Sequence, residues 1–487
     1  MEGTKETPVN EGVVGSKFTL VDYAAFATLL VISVGIGVYS SIKNRGVVTT
    51  QEYLLGSRTM PVVPVALSLL GGAISAISIL GNATEVYFYG TQLTMSLIGS
   101  IFGVLIFRNV ILPVLFPLQL VSMFEYIELR FKSRTLRKLA TAIQLLASFV
   151  YMGICLYAPS LAISSVTSLP IWASILLMGL ICSFYITIGG VKAVVYADVV
   201  QTLLMFAGVL VVSVICCQQL GGPANVWSIA EKGGRLEFFN MDPSPFVRHT
   251  FWSTQVFGAF SVLGSVGFNQ PQFQRFVSVR TLSLSQLLCS LFTMGLFLLW
   301  GIFYFSGLVA YAVYNNCDPF TSGRITKPDQ IMPYLVSDKL NHLPGMSGLF
   351  VTAVYSGVLS SLSSHGNAIA GVIWVDFLKD RPYFSNVTER RSTNVVKFLC
   401  WFTRMPHRQR YSAMRFSAIN CTSQSSQRYQ AAVSTEISPI SNMSEPPTKM
   451  RDGQERPFEA HAVGCYEGCY LALRRTFSTS STIGQIL

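Results

Sequence analysis

The chain has 487 residues, a formal charge of +11, and a composition that is 51% hydrophobic but only 12% charged. Soluble domains carry about twice that share of charged residues, and the mean hydropathy is positive at +0.48, which excludes a soluble globular protein and points to an all-α polytopic membrane protein. The positive charge does not indicate a nucleic-acid partner, because Lys and Arg fall mainly in short segments between apolar runs and toward the C-terminus, the pattern of cytoplasmic loops.

In chain order, the polar stretch 1–17 is expected outside the membrane. The apolar run 18–42 is long enough to span by itself, so it reads as a helix rather than a cleaved leader. Further spans are expected at 60–82, 92–117, 138–165, 170–189, 194–218, 250–270, 284–313 and 346–378, about nine transmembrane helices in all. Between them, the loop 43–59 carries Lys43, Arg45 and Arg58, and 118–137 carries Arg130, Lys132, Arg134 and Arg137. The turn 271–283 carries Arg275 and Arg280, and Lys379 and Arg381 follow the last span, whereas 83–91 and 166–169 hold no Lys or Arg. This asymmetry places the Arg-bearing loops in the cytoplasm and the N-terminus outside. From 400 to 487 the chain turns polar, basic and Ser-rich ("CTSQSSQRYQ", "SEPPTKMRDGQERP"), a composition expected to stay disordered on the cytoplasmic side. Cys182, Cys216, Cys217 and Cys289 lie in or beside apolar runs, where a free thiol acts as a small hydrophobe, and no CxxC spacing occurs.

The segments that could carry chemistry are unusually small and hydroxylated for their apolar settings. In "VALSLLGGAISAISILGNATEVYFYG" the pair Gly71–Gly72 permits a break in helical pairing, which a membrane tolerates only where backbone lines a cavity or is buried in protein. Interrupted helices of this kind build ion and substrate sites; the same residues also suit close helix packing. In "SGVLSSLSSHGN", 356–367, Gly357, Ser360 and Ser361 share a helix face, and their carbonyls and hydroxyls are hard oxygen donors for a hard cation. Serines that bond back to carbonyls one turn earlier are the alternative. Asp198 in "GGVKAVVYADVVQ" reads as a helix cap or as a carboxylate on a cation's way out. Glu85 reads as an outer loop residue and His365 as a hydrogen-bonded packing histidine. Arg108 in "IFGVLIFRNVILP" requires a partner, a water-filled cavity or snorkelling, and an anionic substrate is one candidate. No enzyme constellation stands out: GxSxG, HExxH and GK[ST] are all absent.

Several stretches together resemble the sodium/solute symporter family: "EYLLGSRTMPVVPVALSLL", "GGVKAVVYADVVQTLLMFAG", "NQPQFQRFVSVR" and "YSGVLSSLSSHGNA". "GGRLEFFNMDPSPFVRHTFW" and "CDPFTSGRITKPDQIMPYLV" resemble its monocarboxylate and multivitamin branch rather than the sugar branch. The resemblance covers roughly 18–399. It implies a LeuT-type core of two inverted five-helix repeats behind one extra N-terminal helix, with the core incomplete at its C-terminal end. It implies a plasma-membrane symporter that takes up a small organic anion with sodium, the co-transported ion. Carried over by motif, the sodium ligands are Gly71, Ile74 and Gly357 through main-chain carbonyls and Ser360 and Ser361 through hydroxyls. Asp198 falls on the sodium exit route, and Ser78 and Asn269 fall in the substrate cavity. The partners implied are the organic anion and the lipid bilayer, with oligomeric state left open. A shortened family member that regulates, or fails to assemble, without transporting is the alternative function.

Overall fold

The computed structural model describes residues 19–43, 49–166, 170–244, 246–384 and 387–402. The segment expected outside, 1–17, and the Ser-rich tail beyond 402 lie outside the described residues.

The first half of the chain forms α1 (Leu20–Lys43), α2 (Thr50–Leu55), α3 (Val62–Ala73), α4 (Ala76–Tyr89), α5 (Ser96–Ile106), α6 (Leu112–Leu115), α7 (Glu125–Phe131) and α8 (Arg134–Val166). It continues with α9 (Ile171–Gln219), α10 (Pro223–Lys232), α11 (Phe251–Gly267), α12 (Gln270–Phe276), α13 (Leu282–Tyr314), α14 (Ile331–Lys339), α15 (Met346–Ile373) and α16 (Glu389–Phe402). Local chemistry sets many of the boundaries. Thr49 caps α2 by accepting the Glu52 N–H, and Gly56 ends it at φ 64°. Thr250 and Ser253 form a reciprocal capping box that starts α11.

Six helical stretches are long and apolar enough to cross a membrane on length and composition alone. Three more crossings come from features that a length test misses. A straight α9 would run about 74 Å, more than twice the hydrocarbon thickness; Gly190, at φ 61° and ψ −160°, folds it into two crossings, 171–189 and 191–219. The other two are built from half-helices: α3 with α4, and α11 with α12. In the first, Ile74 and Ser75 are extended (φ −99°, ψ 118° and φ −107°, ψ 174°). In the second, Phe268 and Asn269 interrupt the helix. The nine expected spans therefore correspond to nine crossings among the described residues, with one difference. The turn expected at 271–283 begins as a fully buried helix, α12, and its Arg275 is not a loop charge.

One end of the bundle, here the basic end, is laced by charged and polar side chains. Lys192 Nζ meets Glu52 Oε1 at 2.7 Å, and the Tyr53 hydroxyl donates to the Ile186 carbonyl at 3.0 Å, pinning α2 against the Gly190 corner. Asp376, in the π-helical turn Trp374–Leu378 that ends the α15 crossing, accepts from Ser122 Oγ (2.9 Å), Thr141 Oγ1 (2.7 Å) and Arg137 Nε (2.9 Å). At the opposite end Glu85 pairs with Arg248 (2.7 Å) and His249 (2.9 Å). Glu85 is thus a half-buried residue of α4, not the solvated loop residue expected from the sequence.

Helix α15 runs through the centre, buried along nearly all its length, while α1 lies at the periphery with most of its surface outward. A backbone-close seam joins α5 to α11. A Cβ added to Gly258 would collide with the Ser96 carbonyl, and one on Gly103 would collide with the Ala259 carbonyl. Backbone meets backbone there, as small residues allow in membranes. Gly258→Val should force the two helices apart and cost roughly 1–3 kcal/mol or more. The expected readout is a lowered thermal midpoint and loss of the monodisperse peak in detergent, whereas Gly301→Val, at a position open around its Cα, should change neither.

Candidate functional site

The break between α3 and α4 is the starting point. A helix end leaves its last carbonyls without an internal donor. Here the Ile74 N–H still reaches the Leu70 carbonyl at 2.8 Å, and the extended geometry that follows frees the carbonyls of Gly71, Gly72 and Ala73. The α4 turn begins anew with Ser78 and Ile79 N–H groups donating to the Ser75 carbonyl. Such exposed backbone is tolerable because α15 and α9 cover it. A Cβ on Gly357 would come within 2.8 Å of Ala76 N and 3.1 Å of Ser75 C, so α15 lies directly on the break. A Cβ on Gly71 would press on the hydroxyls of Thr202 and Ser360. Gly71, Ile74, Gly357, Ser360 and Ser361 are thus brought together and are all buried.

The two serines do not behave alike. The Ser360 hydroxyl donates to Asp198 Oδ1 at 2.8 Å. The Ser361 hydroxyl is fully buried on the side of the Tyr151 hydroxyl, which also interacts with Ser75 beside the break. Its polar neighbour is thus a neutral hydroxyl, whereas Ser360 meets a carboxylate. His365 Nδ1 donates to the Ser361 carbonyl at 2.9 Å, and its ring packs 4.7 Å from Tyr151, as a structural histidine would. Among the described residues, no three His, Cys, Asp or Glu side chains converge as metal ligands. The oxygen donors of this patch are hydroxyls and carbonyls, suited to a weakly held monovalent cation.

Asp198 is neither a helix cap nor a solvent-facing carboxylate. It lies inside α9 and is fully buried. Arg275 Nη2 pairs with its Oδ2 at 2.7 Å, and Ser68 Oγ donates to the same oxygen at 2.6 Å. Ser363 Oγ adds a longer contact at 3.3 Å. Arg275 uses four of its five N–H groups: besides the Asp198 contact, Nε donates to Ser68 Oγ (2.6 Å), Nη1 to the Pro271 carbonyl (2.8 Å) and Nη2 also to Ser364 Oγ (2.5 Å). One ion pair thereby joins α3, α9, α12 and α15. Ser68 lies one turn nearer the basic end than Gly71, so this network sits just below the break. Sequence reasoning missed Arg275, Ser68 and Thr202. The only available signal for Arg275 was its place in the amphiphilic run "NQPQFQRF".

Ser78 is half-buried in the first turn of α4. Asn269 stands at the second break as the residue before α12, and its Oδ1 is buried without a partner. Each therefore follows an interruption, but no hydrogen bond joins them among the described residues. Gln272 is fully buried with both amide atoms unpartnered, and its Nε2 faces Gly72, as does Ser364 Oγ.

Comparison with known proteins bears on this arrangement. The model of the sodium:solute symporter family matches residues 53–401. The chain belongs to this family. Relatives in the family include human sodium-coupled monocarboxylate transporter 1, 40% identical over 373 residues, and Danio rerio sodium-coupled monocarboxylate transporter 2, 39% identical over 384 residues. The sodium-dependent multivitamin transporter of Oryctolagus cuniculus is 39% identical over 397 residues. These matches cover 77%, 79% and 80% of this chain, and the chain spans 61% of the length of each relative. A solved Na⁺-coupled sialic acid symporter, in a substrate-bound outward-open state, superposes with a TM-score of 0.72 at 20% identity, covering 80% of this chain and 81% of that one. This likeness establishes the fold, a multi-pass membrane architecture of the LeuT type. The named relatives are transporters rather than enzymes.

Removing one member of a buried ion pair strands the other and costs about 3–5 kcal/mol. Arg275→Met should therefore lower the thermal midpoint markedly. Adding Asp198→Asn to it should recover part of the loss, because no charge is then left unpaired. Intrinsic tryptophan fluorescence during a thermal ramp reads both.

Proposed function

We propose that this family member is a sodium-coupled symporter, and that Na⁺ is held where α15 crosses the α3–α4 break. The carbonyls of Gly71, Ile74 and Gly357 and the hydroxyls of Ser360 and Ser361 are its ligands. The observation that carries the reading is the crossing itself: Gly357 of α15 lies on the Ser75–Ala76 backbone of the break, and the Ser360 hydroxyl lies against Gly71. A desolvated ion there joins the hydroxyls of α15 to the carbonyls of the break, and its binding fastens α15 to both half-helices.

Asp198 then marks the way out. It already accepts the Ser360 hydroxyl, and it lies nearer the basic end than the break. An ion leaving Ser361 passes to oxygens that Ser360 and Asp198 share, while Arg275 keeps the carboxylate from holding it tightly. The driving force is electrical as well as chemical: one positive charge crossing the membrane gains about 2.3 kcal/mol per 100 mV. The cargo in this reading is a small organic anion, a monocarboxylate or a vitamin carboxylate such as biotin or pantothenate; the names of the relatives, monocarboxylate and multivitamin transporters, support that class. Ser78 and Asn269, each beside an interruption, line the cavity that receives it.

The basic end faces the cytoplasm, following the concentration of Lys and Arg there. The transmembrane domain occupies 18–399 in the plasma membrane, the N-terminus is outside, and the segment 400–487 is a cytoplasmic tail.

Uptake of labelled lactate, biotin and pantothenate into cells expressing the full chain tests the reading. Uptake of at least one should depend on external sodium, and Ser361→Ala should raise the half-saturating sodium concentration by about tenfold or more. An unchanged sodium requirement in Ser361→Ala would refute the ion site. No uptake despite surface expression would favour a non-transporting role.

A further inference from the structure

Arg108 stands apart from the site. It lies in the π-helical turn Phe107–Ile111 that joins α5 to α6. The wide turn keeps Phe107 inward, its ring 4.8 Å from that of Phe276, and aims the next residue at α13. There the guanidinium makes one hydrogen bond, Nη1 to Ser290 Oγ at 3.2 Å. Its Nε is buried with no partner. Among the described residues, no carboxylate pairs with it.

Its surroundings exclude the substrate cavity. Ser290 is exposed and lies on the outward stripe of α13 with Leu287, Met294 and Leu298, which are 45%, 67% and 57% exposed. On the Arg108 side, Ile106 and Val110 are 45% and 61% exposed. These apolar residues face lipid, so the cation faces lipid too.

Depth then identifies the ligand. The 33 residues of α13 measure about 50 Å, some 20 Å more than the hydrocarbon layer, so each end overhangs by roughly 10 Å. Ser290 is eight residues from the start of α13, about 12 Å, which places it at the edge of the hydrocarbon on the basic side. An arginine there reaches the level of lipid phosphates by snorkelling. A planar fork with unused donors matches a phosphate's oxygens. The cytoplasmic leaflet is also the one rich in anionic lipid.

We infer that Arg108 and Ser290 form a binding site for the phosphodiester of an anionic phospholipid in the cytoplasmic leaflet, seated between α5 and α13. The lipid supplies the counter-charge that the protein does not. It also clamps the π-helical turn to α13, on the opposite side of Phe107 from α12.

The full chain in a neutral detergent, titrated with short-chain phosphatidylserine, phosphatidylcholine or inorganic phosphate, tests this through its thermal midpoint. Phosphatidylserine should raise the midpoint, and Arg108→Gln should need about fivefold more of it, the effect of one cation at an anionic surface. Phosphatidylcholine and inorganic phosphate should act only weakly. Equal titrations of wild type and Arg108→Gln, or a response to inorganic phosphate equal to that of the lipid, would overturn the site. If Arg108→Gln is not recovered folded, a photoactivatable phosphatidylserine on the unaltered chain decides. It should label peptides from 96–115 and 282–298, and labelling confined to other segments would refute the assignment.

Discussion

The arrangement of this protein's centre depends on one buried ion pair. Asp198 and Arg275 are both essentially inaccessible, 77 residues apart in sequence and 2.7 Å apart in space. Two charges taken out of water are stable only when every remaining lone pair and proton finds a partner. Four serines supply partners from two other elements, Ser68 of α3 and Ser360, Ser363 and Ser364 of α15, and the Pro271 carbonyl of α12 supplies another. The pair therefore fixes the relative positions of α3, α9, α12 and α15 to within hydrogen-bond tolerance. The break at Ile74–Ser75 lies nearly two turns along α3 from Ser68, and Gly357 of α15 packs directly on it.

The same constraint explains why α15 is so rich in serine. On the outside of a bundle such a sequence would weaken the helix and gain nothing. In the middle it serves three purposes with neighbouring residues. Ser360 and Ser363 satisfy the carboxylate, Ser364 meets the guanidinium, and Ser361 turns toward the Tyr151 hydroxyl. Gly357 brings the helix close enough for these groups to reach.

Much of the fold was legible from the sequence, because the bilayer imposes a length on apolar runs. All nine expected spans have counterparts, and Gly71–Gly72 flagged a possible break within three residues of the real one. Resemblance to a known family then picked out the residues that meet there. What could not be read was partnership across distance. Arg275 follows a polar run and precedes another Arg five residues on, the look of a cytoplasmic turn, and nothing local indicates that Asp198 is its mate. Asp198 for its part follows a Gly pair near an expected helix start, so a cap was a reasonable reading; the chain in fact begins that crossing at Gly190, a full two turns earlier. Glu85 was misjudged for the same reason, since its partners Arg248 and His249 lie more than 160 residues away. The differing roles of Ser360 and Ser361 depend on which hydroxyl faces the carboxylate, and spacing carries no such information.

The Gly190 corner has a mechanical corollary. Most adjacent crossings are joined by a loop, and a loop is slack: one rod can tilt while its neighbour stays put. Here a single residue, in a backbone geometry open in practice only to glycine, connects 171–189 to 191–219 with no spare length. Any rocking of the first rod must pull directly on the second, which bears Asp198. Movement at the rim of the bundle is thus geared to the carboxylate at its heart.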